Sequence, residues 1–254
     1  LADQGLSPEQ VDFLIITHVH LDHAGGTAAL LKHCPNATVL AHPKAARHLI
    51  EPSRLIAGAK GVYGEEAFAR LYGVIEPVEA ARVRVMQDGE MLPWGSRTLR
   101  FIYTPGHASH HFCIYDSLSN GIFTGDAFGL GPAHPATHLA EFIVGSSAPP
   151  DFDAAEARKT VRKILDTGAE YVFLPHFGIH ARPARNAEML LVSLGRMEKI
   201  LEEAVAADIA DGALQPFCEE RLIAATKAHL EWCGVRDMET AWHWLGDDPQ
   251  INAM

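Results

Sequence analysis

The sequence predicts an α+β fold that continues into a helical C-terminal extension. Apolar, β-branched runs at residues 11–17 and 98–103 have the composition of buried strands. After Pro183, apolar residues recur every three or four positions, which is typical of amphipathic helices. A chain of 254 residues is long enough for one large domain or two small ones. We therefore expect an α+β domain over residues 1–183 and a helical extension over residues 184–254.

Turn residues separate the predicted elements along the chain. Residues 51–73 are the least regular part. They contain a small, flexible stretch at 57–64 that is either a wall of a substrate cleft or a plain surface connection. The predicted elements are, in order, strand 11–17, helix 24–33, strand 37–41, a helix ending at Leu49, helix 65–72, strands 83–85, 91–92, 98–103, 112–115 and 121–124, helix 153–166, strand 171–174 and three helices beyond Pro183.

Composition excludes several classes of function. Hydrophobic residues make up 48% of the chain and charged residues 21%, as in an ordinary globular protein. The net charge of -11 argues against nucleic acid as a partner, and no apolar run approaches the length of a membrane span. The four cysteines are scattered and lack the spacing of a metal site. We therefore expect a reducing compartment, the cytoplasm.

The most informative stretch is the turn between the first strand and the first predicted helix. His18, His20, Asp22 and His23 fall within six positions there. Turn residues follow neither strand nor helix periodicity, so several imidazoles can point into one cleft. Four potential ligands this close fit a pair of metal ions better than one. Imidazole and carboxylate without thiolate suit zinc, manganese or iron. The alternative is a histidine-rich surface loop.

Four motifs in order resemble those of the metallo-β-lactamase superfamily. The pattern His-x-His-x-Asp-His at 18–23 resembles the first motif of that family. The segments at 104–107, 124–126 and 174–176 resemble the second, third and fourth motifs. Each motif follows an apolar strand, and the resemblance covers roughly residues 10–182. It implies an αββα sandwich, in which two packed β-sheets are flanked by helices. Members place a β-hairpin and a helix before the first motif, so we expect this chain to lack the first strands.

The resemblance also implies a set of metal ligands. A carboxylate can bridge two ions because its two oxygens point at different metals, whereas a neutral imidazole nitrogen cannot. Two divalent ions are expected, with zinc favoured and iron or manganese as alternatives. By motif, one ion takes His18, His20 and His107, the other takes Asp22, His23 and His176, and Asp126 bridges both.

The activity implied is metal-dependent hydrolysis. Two bridged ions lower the pKa of bound water and supply a hydroxide that attacks a small ester, thioester or lactone. Asp22 is the expected catalytic residue, because it can orient the hydroxide and pass a proton to the leaving group. The alternatives are a mononuclear iron oxidoreductase of the dioxygenase type on the same fold and a non-catalytic scaffold. A small molecule is the expected partner.

Three positions depart from better-known branches of the family. Asp126 stands where true β-lactamases usually have cysteine, which argues against lactam cleavage. His20 stands where the flavin-linked diiron members have glutamate. Gly129 stands where quorum-quenching lactonases have tyrosine, and the Gly- and Arg-containing run of glutathione-recognising members is missing. The closest resemblance is to glyoxalase II-like hydrolases whose substrates are mostly unassigned.

Substrate choice is assigned to the irregular loop at 127–150. Its first residues follow a metal ligand, so Phe128 and Leu130 are expected to line the cleft and favour an acyl or other hydrophobic group. The helical extension is expected to buttress this loop. Its tryptophans either pack on the core or form a homodimer contact.

Four of the histidines outside the ligand set carry expectations of their own. His42 is expected to cap a turn, with an approach to the cleft as the alternative. One of His110 and His111 is expected to support the metal ligands, with hairpin hydrogen bonding as the alternative. His180 is expected at the surface.

Overall fold

The computed structural model describes residues 1–132, 140–147, 152–176, 178–246 and 252. Much of the loop assigned to substrate choice, at 133–139 and 148–150, lies outside these residues. The chain forms two compact units. The first comprises residues 1–90 with two short later segments, Phe101–Tyr103 and His110–Phe112, and the second comprises the remainder. The α+β class and the helical C-terminal region are both confirmed.

The first unit contains a parallel sheet of order β1-β2-β3. Ile16 pairs with Ala41 across β1 and β2, so both strands end at the same edge. The turn that carries His18 and His20 leaves β1 at this edge, and His42 leaves β2 beside it. The elements of this unit are β1 Phe13–Ile16, α1 Leu21–Ala24, α2 Thr27–Leu31, β2 Thr38–Ala41, α3 Pro43–Ile50, α4 Ser53–Tyr63, α5 Glu65–Tyr72 and β3 Val83–Val85.

Two predictions for the first unit were wrong in detail. The stretch at 57–64 was expected to be flexible, but residues 57–63 lie in helix α4. Gly64, whose φ is 77°, caps the C-terminus of that helix. Gly58 and Gly61 weaken the helical pattern, since each costs about 1 kcal/mol relative to alanine, yet the segment is helical. The single helix predicted at 24–33 is two short helices, α1 and α2, which are separated by a glycine pair.

The six-stranded sheet, most of which belongs to the second unit, has the order β4-β5-β6-β7-β8-β9. β7 and β8 are parallel, with Phe123 opposite Phe173. The residues that follow these two strands therefore leave the sheet at the same edge. The strands are β4 Met91–Trp94, β5 Arg97–Tyr103, β6 Phe112–Asp116, β7 Gly121–Phe123, β8 Tyr171–Leu174 and β9 Gly178–His180.

Four helices complete the second unit. The last two pack on residues that follow β7, because Phe142 and Leu130 are buried in one apolar cluster with Leu230 of α8 and Ala241 of α9. Trp242 and Trp244 pack against the same cluster. The expectation that the extension supports the loop thus has a physical basis in the described part of that loop. The helices are α6 Ala154–Asp166, α7 Pro183–Ala206, α8 Asp211–Cys233 and α9 Met238–Leu245.

None of the helices in the described parts of the chain is long and apolar enough to cross a membrane. The cysteines form no disulfide: Cys34 and Cys113 are buried thiols, and Cys218 and Cys233 are partly buried.

Replacing Phe142 by Ala should lower the free energy of unfolding by about 3–5 kcal/mol, because the ring is fully buried and packs edge-to-face on Trp244 at 5.7 Å. Denaturant unfolding measures the change. Leu214→Ala on α8 is the control, since Leu214 is 38% exposed and its truncation should cost less than about 0.5 kcal/mol. Equal losses in the two variants would contradict the assignment of Phe142 to the cluster that holds the extension.

Candidate metal centre

The first unit holds four candidate ligands on the turn after β1. His18 is fully buried, and its ring centroid lies 4.5 Å from that of His20 and 4.2 Å from that of His23. His20 precedes α1, and Asp22 and His23 lie within it. Three imidazoles and a carboxylate thus lie close together on one turn, and both kinds of group can bind a cation.

Asp22 is the carboxylate among these four candidate ligands, and it is accessible to solvent. Its side chain is 47% exposed, and Oδ2 lies 3.0 Å from Nε2 of His23, whose side chain is 10% exposed. A carboxylate that is paired with a ligand histidine and also open to solvent can contact both a metal ion and a bound substrate. This placement is compatible with the catalytic role expected of Asp22.

Two further histidines surround His18 within the first unit. The His110 ring lies 6.3 Å from His18 and 5.5 Å from His20, and the Val19 N–H donates to His110 Nδ1 at 3.4 Å. His111 is buried, and its ring lies 5.0 Å from His18. The hydrogen-bonding role has a contact in its favour, because His110 accepts a backbone hydrogen bond. Support of the metal ligands also has contacts in its favour, because both rings lie beside candidate ligands.

His42 caps a helix, as expected. Its Nδ1 accepts a hydrogen bond from the Lys44 N–H at 3.1 Å, at the N-terminus of α3. Burial, followed by the nearby His110, lowers the pKa of His42 to about 4, so its ring is neutral near pH 7.

In the second unit, helix α6 holds the turn that presents His107. The Thr160 hydroxyl donates to the Pro105 carbonyl at 2.6 Å, and the Asp153 N–H donates to the Gly106 carbonyl at 2.8 Å. Gly106 has a φ of 132° and lies against Ala157 of α6, where a Cβ would come within 2.4 Å of the Ala157 nitrogen. The turn requires glycine for both its conformation and its closeness to the helix.

His107 is oriented for coordination through Nε2. Its Nδ1 lies 3.3 Å from the Ser146 carbonyl oxygen, which can only accept, so Nδ1 carries the proton. Nε2 lies 3.4 Å from Asp126 Oδ2. A backbone carbonyl on the far nitrogen of a ligand histidine is the usual way in which proteins fix its tautomer and ring orientation.

Asp126 faces two histidines with its two oxygens. Oδ2 faces His107, and Oδ1 lies 3.6 Å from His176 Nε2. Asp126 follows β7 and His176 follows β8, and the parallel pairing of these strands brings the two residues to one edge. The carboxylate is 7% exposed. Two oxygens directed at two imidazoles is the arrangement that a bridging carboxylate needs.

The buried thiol of Cys113 ties two ligand-bearing strand ends together. Its Sγ lies 3.3 Å from both the Thr104 hydroxyl and the Thr124 carbonyl, and these two residues begin the second and third motifs. Burial raises the pKa of Cys113 to about 12. The thiol therefore stays protonated at neutral pH and acts as a structural group, not as a nucleophile or metal ligand.

The two residues expected to bind substrate lie in the core of the second unit. Phe128 is fully buried, and Leu130 is 6% exposed within the cluster that holds α8 and α9. Burial against these partners makes both side chains packing groups in this structure. Contact with a substrate would require them to move, and their role in substrate choice stays a prediction.

His180 is not at the surface, contrary to the sequence prediction. It is 1% exposed on β9, and its Nδ1 lies 3.2 Å from Glu141 Oε1. Glu141 also accepts hydrogen bonds from Asn186 and Arg182. The prediction was wrong because β9 pairs with β8, which the short sequence between His176 and Pro183 did not reveal.

Sequence reasoning also missed Thr160, Glu141 and Ser146. Thr160 left a signal, because it is a polar residue within the buried stripe of α6 that includes Ala157 and Ile164. Ser146 left none, since it acts through a backbone carbonyl that every residue possesses.

Comparison with known proteins identifies the family. The family model of the metallo-beta-lactamase superfamily matches residues 1–176, and the chain therefore belongs to that superfamily. The metallo-beta-lactamase fold-containing protein ST1585 of Sulfurisphaera tokodaii is 27% identical over 175 residues, which cover 67% of this chain and 62% of that protein. The crystal structure of ST1585 matches with a TM-score of 0.60 at 25% identity, over 75% of this chain and 68% of that one.

Two relatives carry names that describe an activity. A hydroxyacylglutathione hydrolase of Aeromonas hydrophila is 29% identical over 42% of this chain and 30% of its own length. An atrochrysone carboxyl ACP thioesterase of Aspergillus fumigatus is 21% identical over 96% of this chain and 71% of its own length. The chain thus spans 62% of ST1585 and under a third of the Aeromonas enzyme.

Replacing Gly106 by Ala should lower the free energy of unfolding by about 1–3 kcal/mol, because the new Cβ would collide with the backbone of α6 at a φ unfavourable to alanine. Gly61→Ala is the matched control. It adds the same methyl group to α4, where no atom of the described residues lies within 4 Å, and should raise stability by about 0.5–1 kcal/mol. Opposite signs in denaturant unfolding are the expected result. A neutral Gly106 variant would refute the close approach to α6.

Proposed function

We propose that this protein is a hydrolase that uses two divalent metal ions to cleave a small ester, thioester or lactone. The first ion would take His18, His20 and His107, the second Asp22, His23 and His176, and Asp126 would be shared. Membership of the superfamily and the names of the two relatives support a hydrolytic reaction. Zinc is the metal we propose, with iron or manganese as the alternatives.

One observation carries the proposal of two ions. The Asp126 oxygens face different histidines, at 3.4 Å for Oδ2 and His107 and at 3.6 Å for Oδ1 and His176. A ligand of a single ion would need only one of these oxygens. A carboxylate with both oxygens directed at potential metal ligands fits a pair of ions at the usual separation of about 3.5–4 Å.

The donor atoms also fit the proposed metals. The seven residues offer imidazoles and carboxylates without thiolate, a set that suits zinc as well as iron and manganese. When bound, such ions lower the pKa of water toward neutrality and stabilise negative charge on a carbonyl oxygen. The protein supplies the orientation: the Ser146 carbonyl fixes the tautomer of His107, and the parallel β7–β8 pair places Asp126 beside His176.

Asp22 is the residue that we assign to proton transfer. Its side chain is half exposed, whereas Asp126 is buried, so Asp22 is the carboxylate that a substrate can reach. It would orient the nucleophile and pass a proton to the leaving oxygen or sulfur. His23, at 3.0 Å, holds it in place.

The substrate class and cellular context are part of the proposal. We propose a small acyl substrate, a cytoplasmic location and no nucleic-acid or membrane partner. The net charge of -11 and the four unpaired cysteines support this. A homodimer is the oligomer we would test first, by light scattering.

Purified protein should hydrolyse at least one member of a panel of esters, thioesters, lactones and phosphodiesters. Removal of metal by a chelator should abolish this activity, and zinc should restore it. Metal analysis should find about two ions per chain. A chain that holds about one iron and consumes oxygen without hydrolysing the panel would instead support the mononuclear oxidoreductase.

Replacing Asp126 by Ala should release at least one metal ion per chain and reduce hydrolysis to the level of the chelated protein. The physical reason is that two cations would lose the anion they share. The control is Glu188→Ala, which removes an exposed carboxylate of an i,i+3 ion pair on α7 and should leave metal content unchanged. Elemental analysis and circular dichroism separate metal loss from unfolding. A full complement of metal in the Asp126 variant would refute the bridge.

A further inference from the structure

Residues 140–147, here called the strap, run between the helical extension and His107. The strap has almost no secondary structure of its own, apart from the bridge between Val144 and Leu130. It nevertheless has a buried centre, since Phe142, Ile143 and Val144 are each less than a tenth exposed and Gly145 is also buried. An irregular segment keeps a single conformation only if its backbone groups are bound by other parts of the chain.

Helices α7 and α8 supply those partners. The Ser193 hydroxyl on α7 accepts a hydrogen bond from the Gly145 N–H at 3.0 Å. His229 on α8 is buried, and its Nε2 donates to the Ile143 carbonyl at 2.8 Å. The Glu141 side chain is held as well, because its carboxylate accepts a hydrogen bond from the Asn186 side chain of α7 at 2.9 Å. The extension thus contacts the strap at residues 141, 143 and 145.

Asn252 binds the two residues that flank Ser146. Its Oδ1 accepts from the Ser147 N–H at 2.7 Å, and its Nδ2 donates to the Gly145 carbonyl at 3.3 Å. The Ser147 N–H and the Ser146 carbonyl belong to one planar peptide unit and point in opposite directions. A bond that holds the N–H therefore also sets the direction of the carbonyl.

The Ser146 carbonyl is the group that accepts the Nδ1 proton of His107, at 3.3 Å. A peptide in an irregular segment can rotate when its hydrogen-bond partners are removed, because no helix or sheet ladder holds it. If the carbonyl turned away, His107 would lose the bond that fixes its tautomer and ring plane. The contacts therefore lead to a proposed metal ligand by two routes. Asn252 acts through the Ser146–Ser147 peptide, and Ser193 of α7 acts through the backbone of Gly145, which directly precedes Ser146.

We propose that the strap is a positioning element for the metal centre, and that Ser193 and Asn252 are positioning residues which act on His107 through the Ser146 carbonyl. The inference rests on the proposed function, because it concerns the affinity for the ion that His107 would bind. It gives the helical extension a part in metal binding, although none of the extension's residues belongs to the proposed ligand set.

The test is a stepwise cobalt titration of the metal-free protein. The absorption bands of the bound ion measure how much cobalt is bound at each step. Ser193→Ala and Asn252→Ala should each weaken one of the two binding steps about 3- to 30-fold and leave the other unchanged, since removal of outer partners of ligand histidines typically costs about 10- to 100-fold. Asn252→Asp keeps the acceptor for the Ser147 N–H but loses the donor to the Gly145 carbonyl, so it should restore only part of the lost affinity.

Ser119→Ala is the matched control, because it also removes one serine hydroxyl, which donates to Asp116 at 2.7 Å in the turn between β6 and β7. The cobalt affinity of the Ser119 variant should equal that of the parent protein. In the metal-free state, the Ser119, Ser193 and Asn252 variants should show shifts of similar size in their thermal unfolding temperature. Unchanged cobalt affinity in both the Ser193 and the Asn252 variant would overturn the positioning role and leave the proposed function intact. Equal weakening of both binding steps would have the same consequence. A parent protein that binds no cobalt would overturn both proposals.

Discussion

The candidate centre depends on the parallel pairing of β7 and β8. Because both strands run in the same direction, the residues that follow them leave the sheet at one edge. Asp126 and His176 come together there, although 50 residues of sequence separate them. The Thr124 N–H donates to the Phe173 carbonyl and keeps these strand ends in register. The same logic operates in the first unit, where β1 and β2 end side by side.

The second requirement is that the turns with the candidate ligands be held in place by other parts of the chain. Coordination needs rings and carboxylates in fixed directions, and a free turn would not keep them. Helix α6 provides this for the His107 turn through Thr160 and the contact at Gly106. Residues 140–147 provide a fixed carbonyl for the same histidine and are themselves held by the helical extension. Support and chemistry are thus carried by different parts of the chain.

Some sequence predictions were wrong for identifiable reasons. The glycines of α4 suggested a flexible connection, but the segment is helical despite the cost of about 1 kcal/mol that each glycine carries relative to alanine. His180 looked like a surface residue because it lies between a metal motif and a helix-starting proline. Its pairing on β9 and its contact with Glu141, 39 residues away, could not be seen in the local pattern.

The sequence by itself determined the class of fold, the order of the main strands and the four motifs, because periodicity and ligand spacing are local properties of the chain. It also determined which donor atoms are offered, and hence which metals suit them. Only the tertiary structure decided that the two oxygens of Asp126 face different histidines, that Phe128 is buried, and that a backbone carbonyl at Ser146 orients His107. Those features arise from contacts between residues far apart in sequence, and a backbone carbonyl leaves no trace in the identity of the residue that carries it.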